Sequence, residues 1–275
     1  MKISIIIPAS NEAAVIGRCL GALAASGPVP GQAEVIVVAN GCRDRTVALA
    51  RAQRGAIAAR GWGFRVIERQ AAGKIGALNA GDAAATGAAR LYLDADVTPA
   101  PDLLPALVRA LDRPGPVYAS GRLRITAGTS RASRAYARIW AAVPFMARGV
   151  PGCGLFAVNA AGRARWGSFP EVIADDLFVR LLFAPCERVK VAASYDWPVA
   201  EGFAALVRVR RRQDTGVAEI ATRFPDLLAN EEKAPMRRLD LLRLALRAPL
   251  GLAVYAAVAL RVRLSAPATE WSRGR

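Results

Sequence analysis

The chain has 275 residues, 53% of them hydrophobic and 22% charged, enough apolar material for one large packed domain and too much for a disordered chain. Lys and Arg number 38 against 22 Asp and Glu, a net charge of +16 that favours anionic partners: nucleotide phosphates, anionic lipid surfaces or nucleic acid. The sequence contains no histidine, which excludes His general bases, His triads and His-ligated metals and leaves acid–base work to carboxylates, Lys, Tyr or Cys.

Residues 3–7 form a β-branched apolar run closed by Pro8, the pattern of a buried parallel strand. Asn11 and Glu12 then open an Ala-rich helix reaching about residue 25. Residues 34–39 read as a second strand, followed by the turn Asn40-Gly41-Cys42-Arg43, with Asp44 placed to cap a helix to about residue 60. Residues 65–68 make a weaker third strand, Gly73-Lys74 lead into a helix over residues 75–85, and residues 91–94 are a fourth strand. This alternation predicts an α/β fold: a doubly wound, mostly parallel sheet with helices on both faces. Beyond Pro101 come a helix to residue 111, a strand over 117–126 with Arg122 and Arg124 alternating against Leu123 and Ile125, and a helix through Trp140. A small-residue loop at 149–154, a strand at 155–158, a helix opened by Asp175-Asp176 and an edge strand at 188–192 complete the domain.

Composition changes near residue 239. Residues 239–264 are strongly apolar but broken by Arg243, Arg247, Arg261 and Arg263, and the uncharged stretch 248–260 is shorter than the roughly 20 residues a spanning helix needs. A membrane span, an interfacial or re-entrant helix and a helix packed on the domain all remain open. The flanking arginines suit an anionic membrane surface. The expected organisation is a domain over residues 1–235, its nucleotide-binding half at 1–100 and its acceptor-binding half at 101–235. An apolar, basic helical arm with a loose tail follows over 236–275. Met1-Lys2 run straight into the first strand without a basic leader, so the expected location is cytoplasmic, peripheral on the inner face of the cytoplasmic membrane. Cys19, Cys42, Cys153 and Cys186 are scattered without a C-x-x-C pair, so neither a zinc site nor a disulfide framework is expected.

Asp94 and Asp96 stand where the fourth strand ends. In an open parallel sheet, ligands bind outside the carboxyl ends of the strands. Two aspartates one residue apart can serve a hard cation such as Mn2+ or Mg2+, which completes its shell with water and phosphate oxygens. The other three strands end in polar loops too: Pro8 to Glu12, Asn40 to Asp44, and the segment with Lys74 and Asn79.

With those four loops in order, the sequence resembles the GT-A glycosyltransferases of family 2, inverting enzymes that use nucleotide-diphosphate sugars. The resemblance rests on IIIPASNE at 5–12, NGCRDRT at 40–46, GKIGALNAG at 73–81, DAD at 94–96, GCGLFAVNAAG at 152–162 and ADDLFVRL at 174–181. It covers residues 1–215 and implies the GT-A fold and a nucleotide-diphosphate sugar donor. By that resemblance Pro8, Asn11, Glu12, Asn40, Asp44, Lys74, Asn79 and Asp94 surround the nucleotide, and Asp96, with Asp94 beside it, binds Mn2+ or Mg2+ between the phosphates. Gly152, Cys153 and Gly154 flank the acceptor, and the general base comes from Asp175-Asp176, with Asp176 at the second acidic position of the motif. Two departures stand out. Asn40 occupies a position that is usually Asp. The Q-x-x-R-W of processive members is replaced by an arginine run over 207–213, in which Arg211 and Arg212 are expected to close over the diphosphate as a mobile loop. A non-processive enzyme moving one sugar is therefore expected, with an acceptor hydroxyl of unknown identity, lipid-linked or membrane-proximal. A nucleotidyltransferase would carry a glycine- and arginine-rich loop after the first strand, which PASNE is not. A catalytically inactive membrane-surface module would have no need of Asp94, Asp96 and Asp176. Nucleic acid is not an expected partner, because the run 208–212 has no interleaved aromatics.

Overall fold

The computed structural model describes residues 1–70 and 73–265; the tail expected at the C-terminus lies, beyond Ser265, outside the described residues. Eight strands form one sheet: β1 Lys2–Ala9, β2 Gln32–Asn40, β3 Gly63–Arg69, β4 Ala89–Leu93, β5 Thr98–Pro99, β6 Tyr118–Thr126, β7 Leu155–Val158 and β8 Arg188–Pro198. Their order is β3-β2-β1-β4-β7-β6-β8-β5. The first four are mutually parallel, the doubly wound half read from the sequence. β7 reverses direction against both β4 and β6, and β6 runs parallel to β8. The sheet is therefore parallel over β3-β2-β1-β4 and mixed over the rest.

Helices cover both faces: α1 Ile16–Ala24, α2 Thr46–Ala52, α3 Arg54–Ala58, α4 Gly73–Ala84, α5 Leu103–Leu111, α6 Arg131–Ala142, α7 Pro144–Ala147, α8 Ala160–Arg163, α9 Asp175–Leu181, α10 Phe203–Arg223, α11 Arg238–Arg247 and α12 Pro249–Arg263. The period of two along each strand divides the core. Ile3, Ile5 and Ile7 of β1 pack with Leu20 and Leu23 of α1, while Ile6 faces Ile75 and Leu78 of α4. Burying both faces is what an unbroken apolar strand requires.

Three expectations are corrected. The single helix after Asp44 is two short ones, broken at Gln53. The strand expected at 188–192 continues to Pro198, because β6 pairs along it past a bulge between Ser120 and Arg122. The arginine run is no loop: it lies within α10, a 21-residue helix whose Gly216 rests on Ile173 and Ala174 and whose Ile220 is buried.

The arm is a bent pair, α11 and α12 meeting at 115°. Among the described residues no single helix is long and apolar enough to cross a membrane, although this pair together passes on length and composition. α12 packs on the domain: Gly251 touches the Ala135 carbonyl and Ile139, Val258 is buried, and Tyr255 stacks on Tyr136 of α6 with centroids 5.1 Å apart. α11 exposes Leu239, Leu241, Leu242 and Leu246, the last 77% exposed, and α12 exposes Leu250 and Leu260 on its outer side.

Candidate active site

The carboxyl ends of β1, β2 and β4 open into a cleft of about 550 Å³. One wall is polar: the loop Pro8 to Glu12, Asn40 and Gly41, Gly73 and Lys74, Asp94 to Asp96, and Asp175. The other is aromatic and apolar, made by Tyr136, Trp140, Trp197, Val199 and Leu206, with Arg210 and Arg212 of α10 at its edge.

The polar wall is tied together loop to loop. Asn11, in the left-handed region at φ 53°, accepts from the Arg43 backbone N–H through Oδ1 at 2.7 Å. The Glu12 N–H donates to Thr46 Oγ1 at 2.7 Å. Asp44 accepts from Ala13 N–H at 3.1 Å and Thr46 N–H at 3.0 Å, so it fastens the first loop to the second and stands behind the cleft wall, not on it. Against its desolvation, a bond from the Thr46 hydroxyl and then these N–H bonds hold the Asp44 carboxyl below the ordinary range. Asn40 donates through Nδ2 to the Gly73 carbonyl at 2.8 Å, fixing the start of α4. A carboxylate could not donate that bond, which gives the departure from Asp a physical reason.

Lys74 is the junction of the site. Its ammonium lies 3.0 Å from Asp94 Oδ1 and 3.1 Å from Asp175 Oδ1, joining the end of β4 to the start of α9. Burial disfavours its charge, but Asp175, Asp94 and Asp176 outweigh that and hold it protonated well above the ordinary lysine range. Burial raises Asp175, against the pull of Lys74. Burial and the Asp175 charge push the Asp176 carboxyl up to about 6. Asp176 Oδ1 accepts from the Leu177 N–H at 2.8 Å, and the side chain keeps partial exposure beside the cleft, which Asp175 enters directly.

The small-residue loop locks the same corner. The Asp94 N–H donates to the Gly154 carbonyl at 2.8 Å. Gly152 and Gly154 take φ of +68° and +69°; a Cβ on Gly154 would lie 2.8 Å from Val97 and 2.9 Å from Trp197. The Cys153 carbonyl accepts from the Tyr195 hydroxyl at 3.1 Å. Gly152, Cys153 and Gly154 thus support Asp94 and Trp197 from behind and do not line the cleft. Asn79 is also placed elsewhere: it donates to the Phe169 carbonyl at 3.1 Å and accepts from the Phe169 N–H at 2.7 Å, holding that loop to α4. Of the arginines, Arg212 lines the cleft and Arg211 does not; Arg210 takes that place.

Among the described residues no group of three or more His, Cys, Asp or Glu side chains gathers as an all-protein metal cage. Asp94 and Asp96 fit the alternative, a hard cation held by one or two carboxylates and completed by phosphate and water.

The aromatic wall was not read from the sequence. Trp140 and Trp197 meet edge to face at 5.1 Å, and Tyr136 packs on Trp140 at 5.5 Å. They come from α6 and the end of β8, and only the fold joins them. The signal within reach was positional: Trp197 ends a strand on the same sheet edge.

Comparison with known proteins agrees with this fold. The chain is similar to mannosyltransferase PcManGT from Pyrobaculum calidifontis, solved with GDP-Man and Mn2+, at a TM-score of 0.59 and 22% identity, over 96% of this chain and 75% of that one. It is similar to S. aureus TarS 1-349 in complex with UDP at 0.56 and 15% identity, over 97% and 73%. Glucosyl-3-phosphoglycerate synthase from Mycobacterium tuberculosis, with Mn2+, UDP and glucosyl-3-phosphoglycerate, aligns at 0.54 and 22% identity over 81% and 79%. At these identities the likeness speaks for the fold, and no curated protein matches the chain. The family model described as glycosyl transferase family 2 matches residues 4–164, more than half of the sequence, and the chain belongs to that family.

Proposed function

We propose that the protein is a metal-dependent inverting glycosyltransferase that moves a single sugar from a nucleotide-diphosphate sugar to an acceptor hydroxyl presented at an anionic membrane surface. The observation that carries this reading is the bridge of Lys74 between Asp94 and Asp175, which puts the end of β4 and the acidic start of α9 in one cleft. The polar wall takes the donor. Lys74 and Arg212 face the diphosphate, and Asp96, seconded by Asp94, holds Mn2+ or Mg2+. When bound, the cation neutralises charge that builds on the leaving diphosphate.

Asp176 is the base. The acceptor oxygen attacks the anomeric carbon from the face opposite the diphosphate. Its proton passes to Asp176, the bond from carbon to the diphosphate oxygen breaks, and that oxygen keeps the electron pair. Attack and departure on opposite faces invert the centre. A carboxyl raised to about 6 is still ionised at neutral pH yet is a better proton acceptor than an ordinary aspartate. The aromatic wall takes the acceptor, and the exposed leucines and arginines of α11 rest on the membrane on the cytoplasmic side.

Thermal unfolding across a panel of nucleotide-diphosphate sugars with Mn2+ tests the donor half without knowledge of the acceptor. A bound donor raises the midpoint by mass action, and chelator removes the shift. A panel in which no nucleotide raises the midpoint sinks the reading.

A further inference from the structure

Helical spacing sets the face that α10 turns to the cleft. Leu206, Val209, Arg210 and Gln213 stand at i, i+3, i+4 and i+7, and all four line it. Arg210 is the charged residue of that stripe, while Arg208 and Arg211 do not reach the cleft. Asp94 and Asp96 belong to the polar wall of the same cleft. Carboxylates on one wall and a guanidinium on another bracket a cation-bound diphosphate. The carboxylates take the cation, and the planar fork of the guanidinium fits phosphate oxygens.

A long arginine side chain at a cleft edge loses rotamer freedom when it binds, unless the protein has already fixed it. Arg210 is fixed from two sides. Its Nε donates to Asp214 Oδ1 at 2.8 Å, one helical turn on, and its Nη1 donates to the Tyr255 hydroxyl of α12 at 3.0 Å. Solvent screens the exposed Asp214 carboxylate, and the phenol is a neutral acceptor, so the guanidinium keeps a positive field toward the cleft. The Tyr255 ring is itself anchored. It stacks on Tyr136 at 5.1 Å and 24°, and α12 is seated by the buried Val258 and by Gly251 against Ile139. Tyr255 does not line the cleft, so its hydroxyl acts on a ligand there only through Arg210.

We propose that Tyr255 is a positioning residue for donor binding: through its hydroxyl, the C-terminal arm holds Arg210 against the donor diphosphate. This rests on the transferase reading above. The arm then completes the donor site, a role separate from any contact with a membrane.

The test is calorimetry on the full chain with Mn2+ and two probes: the nucleoside diphosphate that raises the unfolding midpoint most, and the monophosphate of the same nucleoside. Arg210→Met should weaken the diphosphate roughly 10- to 100-fold, the weight of a hydrogen bond to a charged group. Tyr255→Phe keeps the ring on Tyr136 and removes only the hydroxyl; it should weaken the diphosphate roughly 3- to 10-fold. Both variants should hold the monophosphate within about threefold of the parent and the midpoint within about 4 °C. In an Arg210→Met background, Tyr255→Phe should cost nothing further, because the two act as one unit. Parental diphosphate affinity in either single variant, a loss shared equally by the monophosphate, losses that multiply in the double variant, or failure of Tyr255→Phe to fold overturns the inference and leaves the transferase reading standing. No nucleotide binding by the unaltered chain overturns both.

Discussion

Replacing Asp176 by Asn keeps the side chain's size and removes its charge, with opposite effects on turnover and stability. Without a carboxylate to take the acceptor's proton, transfer should fall by about 10²-fold or more. Donor affinity should move by less than about 1 kcal/mol, below a tenfold change in Kd, because Asp176 does not line the cleft that Asp175 enters. Stability moves the other way. Burial, and then the Asp175 charge, lift the carboxyl from 3.8 to about 6. The folded pKa lies above the unfolded one, so the native state binds more protons between those values. Stability therefore falls as pH rises through that window, and the ionised Asp176 is a destabilising group above it. About two pH units at roughly 1.4 kcal/mol each set a ceiling of about 3 kcal/mol, reduced by the side chain's partial exposure. Asp176→Asn should therefore resist urea better than the parent at pH 8 and show no advantage below about pH 3.5. The parent's turnover should have an acid limb with half activity near pH 6. Urea titrations at the two pH values and a pH–rate profile read all of this. A mutant that keeps transfer, or a parent whose acid limb lies near pH 4, about where an unperturbed aspartate titrates, would refute the reasoning.

Asp96→Ala should abolish the metal dependence of nucleotide binding by calorimetry, and equal metal-independent binding by parent and mutant would contradict the assignment. Lys74→Met removes the charge that two carboxylates share, so diphosphate affinity should fall roughly 10- to 100-fold, measured with nucleoside diphosphate alone. Glu232→Ala removes a half-exposed carboxylate that pairs with the buried guanidinium groups of Arg188 at 2.9 Å and Arg180 at 3.4 Å; unfolding free energy should drop by about 1 to 2 kcal/mol in urea, because Arg180 keeps Glu231 and Arg188 keeps the Phe183 and Asn230 carbonyls. Leu242→Glu with Leu246→Glu places charge on the exposed face of α11. Sedimentation with phosphatidylglycerol vesicles should then weaken at least about tenfold, and the parent's binding should weaken with salt.

The parallel half of the sheet was legible because each signal is local. Apolar runs closed by Pro8, Asn40 and Asp94 mark strand ends, and strand ends on one edge make a site. Lys74, Asp94, Asp96 and Asp175 entered the cleft as their motifs suggested. What stayed hidden is non-local. Nothing near Asn79 in sequence announces that the Phe169 backbone would occupy its amide from both sides. The arginine run looked like a loop because its charges masked Leu206, Val209, Gly216 and Ile220, the positions that seat α10 on the domain or the cleft. The length of β8 depended on a partner strand far upstream.

The arm joins the two halves of the functional reading. Arg210 of α10 bonds the Tyr255 hydroxyl of α12 at 3.0 Å and Asp214 at 2.8 Å, and Tyr255 stacks on Tyr136, whose other surface lines the cleft. α12 is thus the backing of the aromatic wall, while α11, turned away by 115°, carries Leu239, Leu241, Leu242 and Leu246 on an outward face. A truncation after Leu239 would remove both at once, and loss of activity in it could not be assigned to the membrane. The paired substitutions on α11 separate the roles: they leave Tyr255, Arg210 and Tyr136 in contact and change only the outward face. If the membrane reading holds, they should spare donor turnover with water as acceptor while releasing the protein from vesicles.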